Sequence, residues 1–493
     1  MKRFTVILMI VGGGCLLGGV LFLVLPFDPL GLQGVLTSDG AFDQLAVYAF
    51  GEIEKGLIYA GLLLIILGLF LFLVDGGRIR LLDWPLRSFL LFILSLQIVL
   101  GIIYIASISY VPASDFEWYH RQATNLAQGR SVSTIWGQPT AFWPIGYPMV
   151  LSVFYRIFGS KLIVAQILNI IFSCGIILFA FLLGREVFTE KIARCAALLL
   201  AFLPSQIFYV IMPMADTPFS LSVLVLLYLT LKKMTYINAI LTGVVFGIAA
   251  LTKPVILFFP LFLFCIRIVR GKKWRPALIH LVLIFAIGEA IMLPWQIRNY
   301  KTFGSFVLVS NNGGYNMWMG NNENASGGVL PFSAYIPRDT LLWMKSLDEA
   351  ERDQYSMQQA IKFMKSHPVQ ATSLAVKKIV HLYFKDSKCV TYGLHDSYEQ
   401  VPSAILMSMI ALTEGYYYSL GIAFLISLYF LLKREKVSTR TFLIVGTILY
   451  FTLIYLPFIA EGRFHMPLLP LFAIVACVPR SYYDRRSVNA EIR

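Results

Sequence analysis

The chain has 493 residues, 58% of them hydrophobic and only 14% charged, with a mean hydropathy of +0.73. Soluble domains carry about 25% charged residues, so a string of soluble domains is excluded and the solvent for most of this apolar surface must be lipid. The net charge of +14 does not mark a nucleic-acid partner, because no recognition module accompanies it.

Lys and Arg instead fall in short tracts between apolar runs, such as Arg78/Arg80/Arg87, Arg267/Arg270/Lys272/Lys273/Arg275 and Lys433/Arg434/Lys436/Arg440. Short basic loops mark the cytoplasmic side of a membrane protein. Of six cysteines, five lie within apolar runs and Cys389 stands alone in a polar region. Neither a zinc spacing nor a disulfide framework is suggested.

Met1-Lys2-Arg3 opens an apolar run to Pro26. At about 20 residues it is long enough to cross a bilayer, and it shows no small-residue cleavage site, so a retained first helix is expected rather than a secretory signal. Further apolar stretches lie at 57–75, 87–110, 161–184, 192–211, 217–232, 238–252, 255–269, 277–294, 404–432, 441–460 and 466–479. The expected fold is an all-α polytopic membrane protein of about 12 transmembrane helices, with three short crossings at 238–252, 255–269 and 466–479. With Lys2 and Arg3 inside, alternation puts every basic tract and both termini in the cytoplasm, and the acidic loop 26–56 outside.

Two large outer segments result, 111–160 and 295–403. In the second, Phe306-Val-Leu-Val-Ser310 reads as a short strand and Asn311-Asn-Gly-Gly314 as a turn, giving a small mixed α/β loop region. Residues 347–366 and 369–385 read as amphipathic helices broken at His367-Pro368. The chain divides into an N-terminal two-helix segment 1–86, a membrane core 87–294, the outer region 295–403, and C-terminal helices 404–493 with a short cytoplasmic tail.

This topology sorts polar residues by side. The outer ends of the helices carry Ser114-Asp115-Phe116-Glu117-Trp118-Tyr119-His120, Met214-Ala215-Asp216-Thr217-Pro218, Leu251-Thr252-Lys253-Pro254, Pro294-Trp295-Gln296-Ile297-Arg298-Asn299-Tyr300 and Glu461-Gly462-Arg463-Phe464-His465. Far apart in sequence, these motifs are placed to meet in one layer. Ionisable groups at membrane depth usually face a cavity.

In their order and sidedness these motifs resemble the GT-C class of membrane glycosyltransferases, in particular the protein O-mannosyltransferase and lipid A aminoarabinose transferase group. The resemblance runs over roughly 87–480. It includes Asp115-Phe-Glu117-Trp-Tyr, the re-entry Trp143-Pro-Ile-Gly-Tyr-Pro148, Asp216, Gly247-Ile-Ala-Ala-Leu-Thr-Lys-Pro254 and Arg463 with Pro467. The aminoarabinose transferases carry a Lys before the re-entry proline, where this chain has Trp143.

The resemblance implies a plasma-membrane enzyme that moves a single sugar from a polyprenyl-phosphate donor to a lipid, glycan or protein acceptor on the outer face, with inversion. Asp115 matches the family's catalytic acid and is the candidate general base. Glu117 departs by one residue from the family's adjacent Asp-Glu pair, and Asp216 matches its second outer acid. Lys253, Arg298 and Arg463 are the candidate donor-phosphate binders, since fixed cations stabilise a departing phosphate. Each has a plainer alternative: the two aspartates as helix caps, the cations as side chains reaching to the interface. No cofactor is expected beyond a weakly indicated divalent metal at His120, His465 and Glu461. The rival functions are a lipid-linked glycan flippase or transporter, a glycan polymerase or ligase, and a non-catalytic scaffold.

Overall fold

A computed structural model describes residues 81–394, 403–434 and 439–478. The expected helices 5–25 and 57–75 lie outside the described residues.

The membrane core begins with α1 (Leu86–Ser107), an apolar helix that starts directly after Pro85, whose fixed φ suits a helix entry. The segment 111–160 folds into α2 (Ser114–Ala127) and α3 (Gly146–Phe158), which pack on each other. The loop between them has one isolated bridge, Ser133 with Pro139. α4 (Leu162–Val187) follows, then α5 (Glu190–Ala201) and α6 (Pro204–Phe208). The expected single stretch 192–211 is bent by 56° at this junction. Pro204 is the reason, since it has no N–H to give and disfavours a helical residue before it.

Next come α7 (Asp216–Leu231), α8 (Tyr236–Thr252), α9 (Phe259–Val269) and the long α10 (Trp274–Phe303). α8 and α10 share the most extensive helix–helix packing of the core. Gly243 and Gly247 sit four apart on α8, and a Cβ on Gly247 would lie 2.9 Å from the carbonyl oxygen of Gly288. Small residues in this spacing let apolar helices approach where lipid offers no hydrophobic drive.

The segment 295–403 holds α11 (Gly313–Met319), α12 (Arg338–Met344), α13 (Glu349–Ser366), α14 (Pro368–Tyr383) and α15 (Lys388–Gly393). α13 opens with a reciprocal capping box between Asp348 and Glu351. It ends at His367-Pro368, as the sequence predicts. The chain closes with α16 (Ser403–Arg434), α17 (Thr439–Tyr455), a 3-10 stretch at Gly462–Leu468 and α18 (Leu469–Ala476).

Two expectations change. Among the described residues there is no strand, and Phe306–Ser310 is irregular; the segment is therefore helical and loop-like, not mixed α/β. Val307 and Val309 are buried against the core while Phe306 is exposed. The alternation that suggested a strand thus reflects one-sided burial without a pairing partner. By length and composition, four described helices can cross a membrane, or five if the bent α5–α6 pair is one span. Several of the remaining expected crossings, at 216–231, 236–252, 254–269, 441–455 and 462–476, are shorter apolar helices of 10–17 residues.

Candidate active site

Five separate pieces of chain bring charged side chains to one end of the bundle. Asp115 stands in the first turn of α2, and Asp216 opens α7. Lys253 ends α8, Glu461 and Arg463 lie at the 3-10 stretch after α17, and Lys388 with Tyr392 comes from α15.

The aspartates do not cap their helices. Neither helix has a side-chain hydrogen bond at its N-cap. The Asp115 carboxylate instead accepts, at Oδ2, a bond of 2.7 Å from Nη1 of Arg463. Asp216 accepts from the Lys253 ammonium. Arg463 also donates through Nε to Glu461 Oε2 at 2.9 Å. Glu461 in turn accepts from the Tyr392 hydroxyl and lies 3.3 Å from the Lys388 ammonium.

Asp115, Arg463, Glu461 and Lys388 thus form one run of ion pairs, the Asp216–Lys253 pair shares the Phe464 ring with it, and most of these groups are largely buried. The side chains of Asp216 and Glu461 are 4% and 5% exposed, those of Asp115 and Arg463 13% and 15%, and Lys388 reaches solvent at 38%. Burial works against the Arg463 charge, but Asp115, Glu461 and Asp216 overcome it and hold the guanidinium protonated. Burial also pushes the Glu461 carboxyl up, and Arg463, Tyr392 and Lys388 more than reverse this, so it stays ionised.

Aromatic rings floor the layer. The Arg463 guanidinium lies over Phe116, Tyr392 and Phe464, and the Lys253 ammonium over Phe464 and Phe219. These are cation–π distances, strengthened by desolvation.

Backbone close approach fixes the layer's edges. A Cβ on Gly462 would lie 2.1 Å from the Lys385 carbonyl oxygen, so only glycine lets the strip bearing Arg463 pass the segment before α15. A Cβ on Gly146 would meet the Thr252 amide at 2.5 Å, which seats α3 directly on the residue before Lys253.

Two of the sequence-predicted residues stand elsewhere. Glu117 is 44% exposed and pairs loosely with Arg121 at 3.6 Å. Arg298 donates to the carbonyl oxygens of Thr140 and Val132 and to Asn299, tying the loop between α2 and α3 to α10. The metal candidates do not converge. His120 bonds the Tyr155 hydroxyl at 2.6 Å, and His465 bonds Leu382 O and Asp386. Among the described residues no group of three His, Cys, Asp or Glu side chains is arranged to hold a metal ion. Lys388 and Tyr392 were missed from sequence. They sit on a six-residue helix next to the segment 395–402, and nothing in their spacing marks them.

Residues 143–296 match the family described as dolichyl-phosphate-mannose-protein mannosyltransferase. The chain resembles the GT-C membrane glycosyltransferases. The matched stretch runs from Trp143 to Gln296 and contains Asp216 and Lys253, while Asp115, Arg298 and Arg463 lie beyond it. No curated protein matches the chain. Among solved structures, the oligosaccharyltransferase AglB from Archaeoglobus fulgidus, in complex with an inhibitory peptide and a dolichol-phosphate, is 16% identical with a TM-score of 0.42. That match covers 78% of this chain and 50% of AglB. ArnT from Cupriavidus metallidurans, bound to undecaprenyl phosphate, is 15% identical with a TM-score of 0.41, over 83% of this chain and 80% of ArnT. The chain thus spans about half the length of the archaeal enzyme, and at such scores the likeness ends there.

Proposed function

We propose that the protein transfers a single sugar from a polyprenyl-phosphate donor to an acceptor hydroxyl on the outer face, with inversion at the anomeric carbon. The observation that carries this is the meeting of Asp115, Asp216, Lys253 and Arg463 in one partly dry layer. It couples a carboxylate with an open oxygen to fixed cations.

Arg463 occupies Oδ2 of Asp115, and Oδ1 has no protein partner among the described residues. That oxygen takes the acceptor's hydroxyl proton as the acceptor oxygen bonds to the anomeric carbon. The bond from that carbon to the phosphate oxygen breaks, and the lipid phosphate leaves with the electron pair. Lys253, Arg463 and the more open Lys388 supply the positive field for the departing charge, preorganised where water is scarce. Asp216 holds Lys253. We assign Arg298 to holding the first outer loop instead of the donor phosphate, and give Glu117 no role in proton transfer.

The test is transfer of labelled sugar from a panel of polyprenyl-phosphate donors by purified protein, with membrane extract as acceptor source. Wild type is expected to give labelled product and Asp115→Asn at least about a hundredfold less, the lower range for general-base catalysis. Equal transfer by both would remove Asp115 from the mechanism. No transfer from any donor, with lipid-linked sugar crossing vesicles that hold the protein, would replace the transferase with a transporter.

A further inference from the structure

At the other end of the bundle from Lys253 lies a second polar site. α9 begins after Lys253 and runs away from it, so Arg267 in its last turn stands about 12 Å along the axis beyond Phe259. The far end of α7 and the start of α8 meet it there. Arg267 Nη2 donates to Asn238 Oδ1 at 3.1 Å and points at Leu229 O at 3.5 Å.

What remains is unsatisfied. Arg267 is 4% exposed, and among the described residues its Nη1 has no partner and it makes no ion pair. Across from it on α10, His280 is 5% exposed and neither ring nitrogen has a partner among the described residues. Both side chains line a cavity of about 10 Å³ whose other walls include Thr230, Leu263, Phe264 and Leu281. No carboxylate lines it. A buried guanidinium without a counter-ion is strongly unfavourable, and a buried polar atom left unbonded adds to that. One anionic oxygen would accept from Arg267 Nη1 and from whichever His280 ring nitrogen carries the proton, and the cavity has room for about one.

The surroundings say what carries that oxygen. Lys272 and Lys273, just past the end of α9, are exposed. Val269, Leu278, Ile279 and Val282 turn 41–60% exposed apolar faces outward beside them. Cations above an apolar flank suit a phosphate attached to acyl chains.

We propose that this end of the bundle binds the phosphate of an anionic phospholipid, one phosphate oxygen entering between Arg267 and His280 with Lys272 and Lys273 around the headgroup. The binding is separate from the sugar-donor site and does not depend on it.

The test uses full-length protein stripped of lipid in neutral detergent. Phosphatidylglycerol, phosphatidylcholine or inorganic phosphate is added, and retained lipid and thermal stability are read by native mass spectrometry and melting. Wild type is expected to retain phosphatidylglycerol at least about tenfold over phosphatidylcholine and to be stabilised by it. Arg267→Met is expected to lose that retention about tenfold. His280→Phe fills the cavity while leaving the Arg267 bonds in place, so it carries the test by itself if the first variant fails to fold. Equal retention in wild type and the folded variants, or no lipid preference in wild type, would overturn the proposal and leave a cavity for water alone. Equal stabilisation by inorganic phosphate, with nothing added by the lipid, would assign the site to a free anion and overturn the lipid reading.

Discussion

Asp115 and Asp216 both stand at the start of a helix, and neither spends its carboxylate on that helix's amides. An acid there still gains from the helix dipole, but its stronger partner is a cation from a distant segment. For Asp216 and Lys253 the pair is nearly dry, so removing one partner strands the other. Lys253→Met and Asp216→Asn are each expected to destabilise by about 3–5 kcal/mol. The double variant should recover most of that and still lack transfer, as melting and activity measured side by side would show. Ser114, just before Asp115, is the only non-glycine residue with positive φ among those described, at 55°. Left-handed geometry costs about 1–2 kcal/mol for an ordinary residue. Ser114→Val is therefore expected to be less stable than Ser114→Gly by about that amount, with transfer falling alongside, and paired melting curves would measure it. At this scale the sequence exposed the residues whose motif types are distinctive. Asp115, Asp216, Lys253 and Arg463 each sit at a helix end on the expected outer side. Arg298 met the same criterion and is bound to loop carbonyls, because sidedness does not tell which neighbour a guanidinium will find.

The helices of segment 295–403 are held by buried acids. Glu349 at the start of α13 accepts from the Thr140 hydroxyl, the Ala141 amide and the Asn311 side chain, so it pins the loop between α2 and α3 to segment 295–403. Four residues on, Asp353 accepts from the Gly314 amide at 2.7 Å and from Tyr315, covering the start of α11. Burial pushes the Asp353 carboxyl up to about 6, against the pull of those two amides. A carboxyl raised in the folded state adds stability that is complete below its unfolded value near 3.8 and fades as pH rises through 6. Amide exchange at Gly314 and Tyr315, corrected for intrinsic rates, should thus show more protection at pH 5 than at pH 7.5. Asp353→Asn should remove that dependence. The helix break at His367-Pro368 was readable because proline acts through its own backbone. The strand at 306–310 was misread because alternation reports which side is buried, while a strand also needs a partner, and none runs beside it.

For the molecule as a whole, apolar content and basic tracts made the membrane class plain, and the helical fold followed. The number of crossings was less legible. Helices of 10–17 residues such as α7, α8 and α9 satisfy an apolar-run criterion without the length of a full span, and a sequence pattern does not record tilt or a bend such as the one at Pro204. Sidedness is open to measurement. In a cysteine-free background, a cysteine replacing the exposed Trp136 is expected to react with an impermeant maleimide on intact cells. One replacing Lys272 should react only after permeabilisation, and the reverse pattern would invert the topology. The Asp115–Arg463 bond has a further consequence, in time. Its partners are 348 residues apart, which at about 5–20 residues per second of synthesis is a wait of roughly 20–70 s. Through that interval the early helices, with Asp115, Asp216 and Lys253 among them, sit in the bilayer without the cation that completes the layer. On the proposed function, a chain halted before Arg463 holds Asp115 without its cation and is expected to be inserted but inert.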